Sequence, residues 1–521
     1  MKLDDSSPQD AVRAVADAPA MTVVEGKTPK RRIKAMDRCL TETGLAEALV
    51  ELHGRDLRYC GTRRKWLVWT GKVWREDHQG VVQQRIKEML RRLRADAVSD
   101  GNAEAEAFLL KAEKRAIRDN IKSLAEHEAP IQISHDALDA HPMLLNVRNG
   151  TVNLETGEHR PHAREDFLTR VAPVSYDVRA PCPVWDAFLT RIFNGDPSLL
   201  RYVQKAAGYS LTGNVSEQVI FVLWGAGANG KSTFVLALLE ALGDYGRSGV
   251  ADLLLASKHA RHPTEKADLF GARLVVFQET SEGHRFDESK LKELTGGDKI
   301  KARRMREDFW EFFPTHKLWL ATNHRPSIRG TDHAIWRRIK LIPFTVTIPS
   351  SEQDKNLSKK LRRELPGILR WAVEGATAWQ RDGLDPPKIV QDAGDSYRQS
   401  EDRVAAFISE CCIVGPGKQT AARDLYSSYR DWAQANGEHV MSAKAFGERL
   451  EDKGLKGGKG GHDRHAIRCG IGLSSSTRDD AGLSSGSSPT RAREDIKRDN
   501  APASSRDRTP ARLEEHNQEE G

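Results

Sequence analysis

Val219-Ile-Phe-Val-Leu-Trp-Gly225-Ala-Gly227-Ala-Asn229-Gly230-Lys231-Ser232-Thr233 joins an apolar run to a glycine-rich loop, and an amphipathic segment then continues to Leu242. Strand, loop and helix in that order form the setting in which a GxxxxGKS pattern binds phosphate. Backbone N–H groups must wrap phosphate oxygens at close range, which favours glycine, and the dipole of the following helix favours the anion. The expectation is a nucleotide site in which Gly225, Gly227, Asn229, Gly230, Lys231, Ser232 and Thr233 surround ATP. Lys231 would meet the β and γ phosphates, and the Ser232 hydroxyl would ligate Mg²⁺.

Hydrolysis also needs a carboxylate at the end of a neighbouring strand. The apolar run Arg273-Leu-Val-Val-Phe-Gln278-Glu279 supplies one, so Glu279 is the expected catalytic acid and a second Mg²⁺-side group. Gln278 precedes it where a paired acid is common, leaving Asp268 and Glu282 as candidate helpers or plain surface residues. A third run, Lys317 to Asn323, ends in a polar amide suited to orienting water or sensing the γ phosphate. Standing alone, Asn323 before His324-Arg325-Pro326 would read as a turn former; the two preceding motifs favour the site. Trp336-Arg337-Arg338-Ile339 then offers two arginines, one of which could stabilise transition-state charge on a neighbouring subunit's nucleotide. Spacing does not choose between Arg337 and Arg338.

Between the second and third runs lie Lys299, Lys301, Arg303, Arg304 and Arg306, followed by a return segment from Phe309 to Phe313. This pattern predicts a β-hairpin bearing cations suited to a DNA backbone, without base reading. A projecting hairpin charged only to avoid edge pairing is the alternative.

Working outward, 521 residues exceed one core and suggest roughly three domains. Residues 1–36 read as a disordered basic arm and 37–180 as an α+β domain. That domain should hold a helix near Leu45–Leu52, a tryptophan hairpin across Thr70-Gly71, amphipathic helices over 81–97 and 103–127, and a short strand at 151–154. The tryptophans are expected to pack the core rather than stack bases. Residues 181–215 read as a helical connector, 216–349 as the ATPase core, 350–403 as a helical linker, 404–472 as a C-terminal domain and 473–521 as a disordered tail. Lys and Arg number 81 against 74 acids, an excess that permits nucleic-acid binding without requiring it. Six cysteines without a CxxC pair argue against a zinc module or disulfide scaffold. With no long apolar span and no signal-like start, the expected setting is cytoplasmic, with no membrane partner.

GAGANGKSTF, RLVVFQE, LKELTGGDKIKARRM, HKLWLATNHRP and HAIWRRIKLIPF, taken in order, resemble the motor of the phage, plasmid and poxvirus primase-helicase family, a superfamily 3 helicase of the AAA+ type. WLVWTGKVW, LLNVRNGTVNLETGE and the stretch from Cys182 to Gly213 resemble the domain before that motor. The resemblance covers roughly residues 37–472. It implies an α/β fold with an AAA+-like P-loop ATPase core, an α+β N-terminal domain and a winged-helix-like C-terminal domain. It further implies a hexameric ATP-dependent DNA helicase, moving on single-stranded or forked DNA during phage, prophage or plasmid replication in a bacterial host. Lys231, Ser232, Glu279 and Asn323 would act in cis, Arg337 or Arg338 in trans, and Lys299, Lys301 and Arg303 would line the pore. About 36 residues precede the matching region, so primer synthesis is expected from a separate primase; a replication initiator is a further possible partner. A DNA-binding loader that does not unwind is the alternative function.

Overall fold

The computed structural model describes residues 40–256, 264–278, 284–304, 308–328, 330, 332–437, 440–460 and 465–474. The basic arm, most of the C-terminal tail, Glu279, Glu282 and Arg306 lie outside the described residues. The chain divides into two units, residues 1–406 and 407–521.

The first unit opens with helix α1 (Glu42–His53) and an antiparallel sheet of β1 (Leu57–Cys60), β2 (Lys65–Trp69) and β3 (Trp74–Glu76). The expected tryptophan hairpin is present, with Trp69 opposite Trp74. Trp66 and Trp74 are buried, as packing rather than base stacking requires. Helices α2 (Val81–Ser99), α3 (Ala103–Ala112) and α4 (Arg115–Ala125) follow. The expected single helix over 103–127 is therefore two. Lys114 leaves the helical region with ψ at 142°, and the chain restarts with Ile121 and Ala125 turned into the core. A second small sheet, β4 (Leu144–Val147), β5 (Gly150–Asn153) and β6 (His159–Arg160), contains the expected strand.

The helical run from Pro183 also divides, into α5 (Pro183–Ile192) and α6 (Pro197–Leu211). Asn194 and Gly195 adopt positive φ, and Asp196 caps α6 by accepting from the amides of Ser198 and Leu199 at 2.9 and 3.1 Å. Pro197 at the first helical position fits the same start.

Next comes a five-stranded, all-parallel sheet built from β7 (Ile220–Trp224), β8 (Gly246–Gly249), β9 (Leu274–Gln278), β12 (Lys317–Thr322) and β13 (Ile339–Pro343). Its spatial order is β13-β7-β12-β9-β8. Strands β7, β9, β12 and β13 read as largely apolar runs because both faces are buried, whereas the edge strand β8, Gly-Arg-Ser-Gly, exposes Arg247 and Ser248. Phe221, Leu223, Leu274, Val276, Trp319 and Ala321 enter one core with α5, α6, α7 (Lys231–Leu242) and α12 (Leu365–Asp382). The intervening Ile220, Val222, Val275, Phe277, Leu318 and Leu320 enter another with α9 (Glu288–Thr295) and the hairpin β10 (Ile300–Ala302)–β11 (Trp310–Phe312). Trp319 stacks near Phe221, centroids 4.7 Å apart, and its indole N–H donates to Ser210. Its truncation to Ala should cost about 3–5 kcal/mol.

At the N-terminal edge of this sheet two buried cations cap the end of α6. Arg273 donates to the carbonyls of Leu211 and Leu144 at 2.7 and 2.8 Å, with its guanidinium 4.5 Å from the Tyr245 ring centroid. Lys317 donates to the carbonyls of Thr212, Asn214 and Thr315. Carbonyls ending a helix carry partial negative charge, which is what lets two cations sit this deep. Burial still lowers the pKa of both groups, that of Lys317 well below the usual lysine range.

Of the second unit's elements, β14 (Cys412–Ala421), β15 (Gly457–Gly460) and β16 (His465–Leu473) form an antiparallel sheet in the order β14-β16-β15. Helices α15 (Ala422–Ala435) and α16 (Ala443–Asp452) pack through Tyr429 and Phe446, whose rings stack at 4.5 Å. Among the described residues no helix is long and apolar enough to cross a membrane.

Candidate nucleotide site

The glycine loop leaves β7 at its C-terminal edge and feeds α7. Gly225 lies so close to Phe344 that a Cβ would collide with that carbonyl, and Gly230 holds φ +86° against Ile192. Gly227 is exposed with open space around it. Asn229 is buried and donates to the carbonyls of Ala226 and Phe344, tying the loop to the strand end beside it.

Lys231 is buried in this loop. Its ammonium donates to the carbonyls of Gly225 and Ala226 at 2.8 and 3.0 Å, to Asn229 Oδ1 at 2.9 Å and to Asn323 Oδ1 at 3.0 Å. Burial lowers its pKa to about 8. Ser232 is exposed and Thr233 half-buried at the start of α7, where leading amides lack helical partners. A polyphosphate fits this arrangement, since only neutral dipoles surround the ammonium, and the exposed Ser232 hydroxyl is free to hold Mg²⁺.

Asn323 follows directly on β12, which pairs with β7 so that Thr322 lies opposite Trp224, and with β9 so that Ala321 lies opposite Gln278. The ends of three strands thus share one edge, and Asn323 meets Lys231 across 92 residues of sequence. Glu279 follows Gln278 outside the described residues. Asp268 is exposed.

The two arginines separate. Arg338 is only 9% exposed; it donates to Thr295 Oγ1 at 3.2 Å and to the Ala334 carbonyl. Arg337 is exposed and donates to Gln218 Oε1 at 2.6 Å. Ile339 lies opposite Ile220, so both arginines stand at the strand N-termini, away from the edge that carries Lys231.

In the hairpin, Lys299, Lys301 and Arg304 are exposed and Arg303 is half-buried. A feature with no sequence signal lies behind the phosphate loop. The Arg325 guanidinium sits 4.7 Å from the Trp224 ring and 5.2 Å from the Tyr397 ring, while the Tyr397 hydroxyl donates to the Pro326 carbonyl. Trp224 precedes the loop and Arg325 follows Asn323, so this stack fixes the two segments to each other and to α13 (Lys388–Glu401).

The fold and the site define an α/β protein with a P-loop-like glycine loop at the edge of a parallel sheet. Against known families, residues 46–194 match a family described as D5 N terminal like, and residues 399–457 one described as Poxvirus D5 protein-like. Residues 223–338, which hold the loop, match a family of unknown function (DUF5906). The chain is 28% identical over 324 residues to a provisionally named helicase of Acanthamoeba polyphaga mimivirus, covering 57% of this chain and 34% of that protein. It is 27% identical over 294 residues to one of Frog virus 3, covering 52% and 30%. With a provisionally named primase of African swine fever virus it shares 24% over 336 residues, covering 57% and 34%. The matched stretch spans about a third of the length of these curated relatives. Among solved structures, the apo C-terminal region of NrS-1 covers 82% of this chain and 99% of its own, at 10% identity and a TM-score of 0.47. Two stretches of the chain therefore resemble D5-like proteins, and the curated proteins it matches are provisionally named helicases and primases of large DNA viruses.

Proposed function

We propose that the chain is an ATP-driven DNA helicase of the superfamily 3, AAA+ type, acting in replication of a phage, prophage or plasmid. The observation that carries this reading is the 3.0 Å contact between Lys231 and Asn323 at the shared edge of β7 and β12. It supports a site in which Lys231 neutralises the β and γ phosphates, Ser232 holds Mg²⁺ and Asn323 orients the attacking water. Glu279 takes the role of the carboxylate that activates this water. Mg²⁺, when bound, would supply neutralisation of the phosphate charge.

Arg337 is the residue assigned to the neighbouring subunit's nucleotide. Arg338 is committed inside its own subunit, whereas Arg337 is exposed and held by one exchangeable bond. A ring of copies, taken as a hexamer, then completes each site. In this reading the hairpin cations Lys299, Lys301, Arg303 and Arg304 contact the DNA backbone. Residues 37–180 serve as the accessory domain, 216–349 as the motor, and 404–472 as a winged-helix-like domain whose support is the helix and strand order of the second unit.

The test is ATP hydrolysis with and without single-stranded DNA, for wild type beside Lys231→Ala, with a forked duplex present. DNA-stimulated hydrolysis and strand separation in wild type alone support the helicase. Separation that survives Lys231→Ala refutes it, and hydrolysis without separation favours a loader.

A further inference from the structure

The hairpin carries two faces that its register separates cleanly. Ile300 pairs with Phe312 and Ala302 with Trp310, and this face is turned inward: Ile300, Ala302 and Phe312 are buried, with Phe312 and Trp310 against Phe270. Alternation places Lys299, Lys301 and Arg303 on the outer face, with Phe313, Glu311 and Phe309 on the return side.

Both phenylalanines are largely open to solvent, Phe309 at 50% and Phe313 at 62%. Each has a cation against its ring: Lys299 at 5.1 Å from Phe313, and Lys301 and Arg303 at 5.1 and 4.8 Å from Phe309. Each cation sits over one ring, and the remaining exposure leaves each ring with free surface beside a positive charge.

Among the described residues, this face sets Lys299, Lys301 and Arg303 against the single carboxylate Glu311, so it is net positive. Glu311 also interrupts the apolar surface between the rings, which is unsuited to a protein partner needing a continuous patch. The rings stand four residues apart, about 13 Å along extended backbone, which leaves room for unpaired bases between them.

We infer that Phe309 and Phe313 are base-stacking platforms for a single strand, with Lys299, Lys301 and Arg303 on its phosphates. The inference rests on the proposed DNA role of the hairpin and deepens it, because stacking on exposed rings requires unpaired bases and excludes an intact duplex.

The test uses the full chain and two labelled probes, oligo-dT and an abasic deoxyribose-phosphate strand of equal length, titrated at several salt concentrations. The Phe309→Leu/Phe313→Leu variant keeps apolar side chains but no rings. It should bind oligo-dT about 10-fold or more weakly, with the abasic strand and the salt slope unchanged, and Phe309→Trp/Phe313→Trp should restore binding. Because both side chains are exposed, thermal unfolding should match wild type. Lys299→Ala/Lys301→Ala should instead reduce the salt slope on both probes by about 1.4. If the lysine variant behaves so and the leucine variant keeps the wild-type preference for dT over the abasic strand, stacking is overturned and the backbone contact stands. If neither variant changes either probe, the hairpin is not the DNA contact and both readings fall.

Discussion

Arg337→Ala isolates the role assigned to the neighbouring subunit. The side chain is exposed and its bond to Gln218 lies at the surface, so its loss should cost the fold less than about 0.5 kcal/mol. A trans arginine is worth about a thousandfold or more in turnover, roughly 4 kcal/mol of transition-state stabilisation. The variant should therefore melt like wild type and hydrolyse ATP at a thousandth of its rate. A mixing experiment then tests where the arginine acts. In a head-to-tail ring each site takes Lys231 from one copy and Arg337 from the next. Equimolar Lys231→Ala and Arg337→Ala, each inactive alone, should regain roughly a quarter of wild-type turnover, the fraction of interfaces with both groups intact. A mixture no faster than its components would show that Arg337 does not act in trans. An Arg337→Ala protein keeping a tenth of the wild-type rate would show that it is not the finger at all. Arg338→Ala is the contrast, since it removes a buried group that bridges Ala334 and Thr295, and its loss should appear first as a lower melting temperature.

Burial holds the Lys231 amine near pKa 8, and nucleotide phosphates favour its charged form. At pH 8.5 the empty site is largely neutral, so ATP binding should take up a proton; below about pH 7 Lys231 is already charged and contributes none. Calorimetry at pH 8.5 in two buffers of different ionisation enthalpy reads this directly, and identical heats would count against it. Arg273→Leu should leave the carbonyls of Leu211 and Leu144 unpaired in the core, at about 1–3 kcal/mol each. A fall of several degrees in the melting temperature is expected, and an unchanged one would mean that the cap of α6 does not contribute to stability.

The parts of the site legible in sequence are those written in consecutive residues. The glycine loop and its strand appear within a dozen positions, and the continuous apolar runs announce strands covered on both faces. Asn323 is legible by its order in the chain, although its contact with Lys231 depends on β7 and β12 being neighbours, which no local pattern states. The choice between Arg337 and Arg338 turns on the phase of the four-residue helix His333–Trp336, too short to show a period. Phe309 and Phe313 read as strand residues, and only the register with β10 shows that they face outward while Phe312 faces in. The break at Lys114 has neither glycine nor proline to mark it. By contrast Asn194-Gly195-Asp196-Pro197 contains turn residues, a cap and an N1 proline in sequence, so the division of that helical run is written in local residues.

The parallel register carries a consequence for assembly. Lys231 and Asn323 stand where β7 and β12 end, whereas Arg337 stands where β7 and β13 begin, bonded to Gln218 two residues before Ile220. Five strand residues span about 17 Å, beyond the reach of an extended arginine side chain. One copy therefore cannot bring its Arg337 to its own Lys231, and on the proposed function a nucleotide held between copies would use both. Such contacts are heterologous and close only as a ring. ATP turnover per protomer should consequently rise with protein concentration and level off where sedimentation shows the assembly to be complete. Turnover per protomer that is constant from dilute monomer upward would contradict a site shared between copies, and would return catalysis to the groups at a single sheet edge.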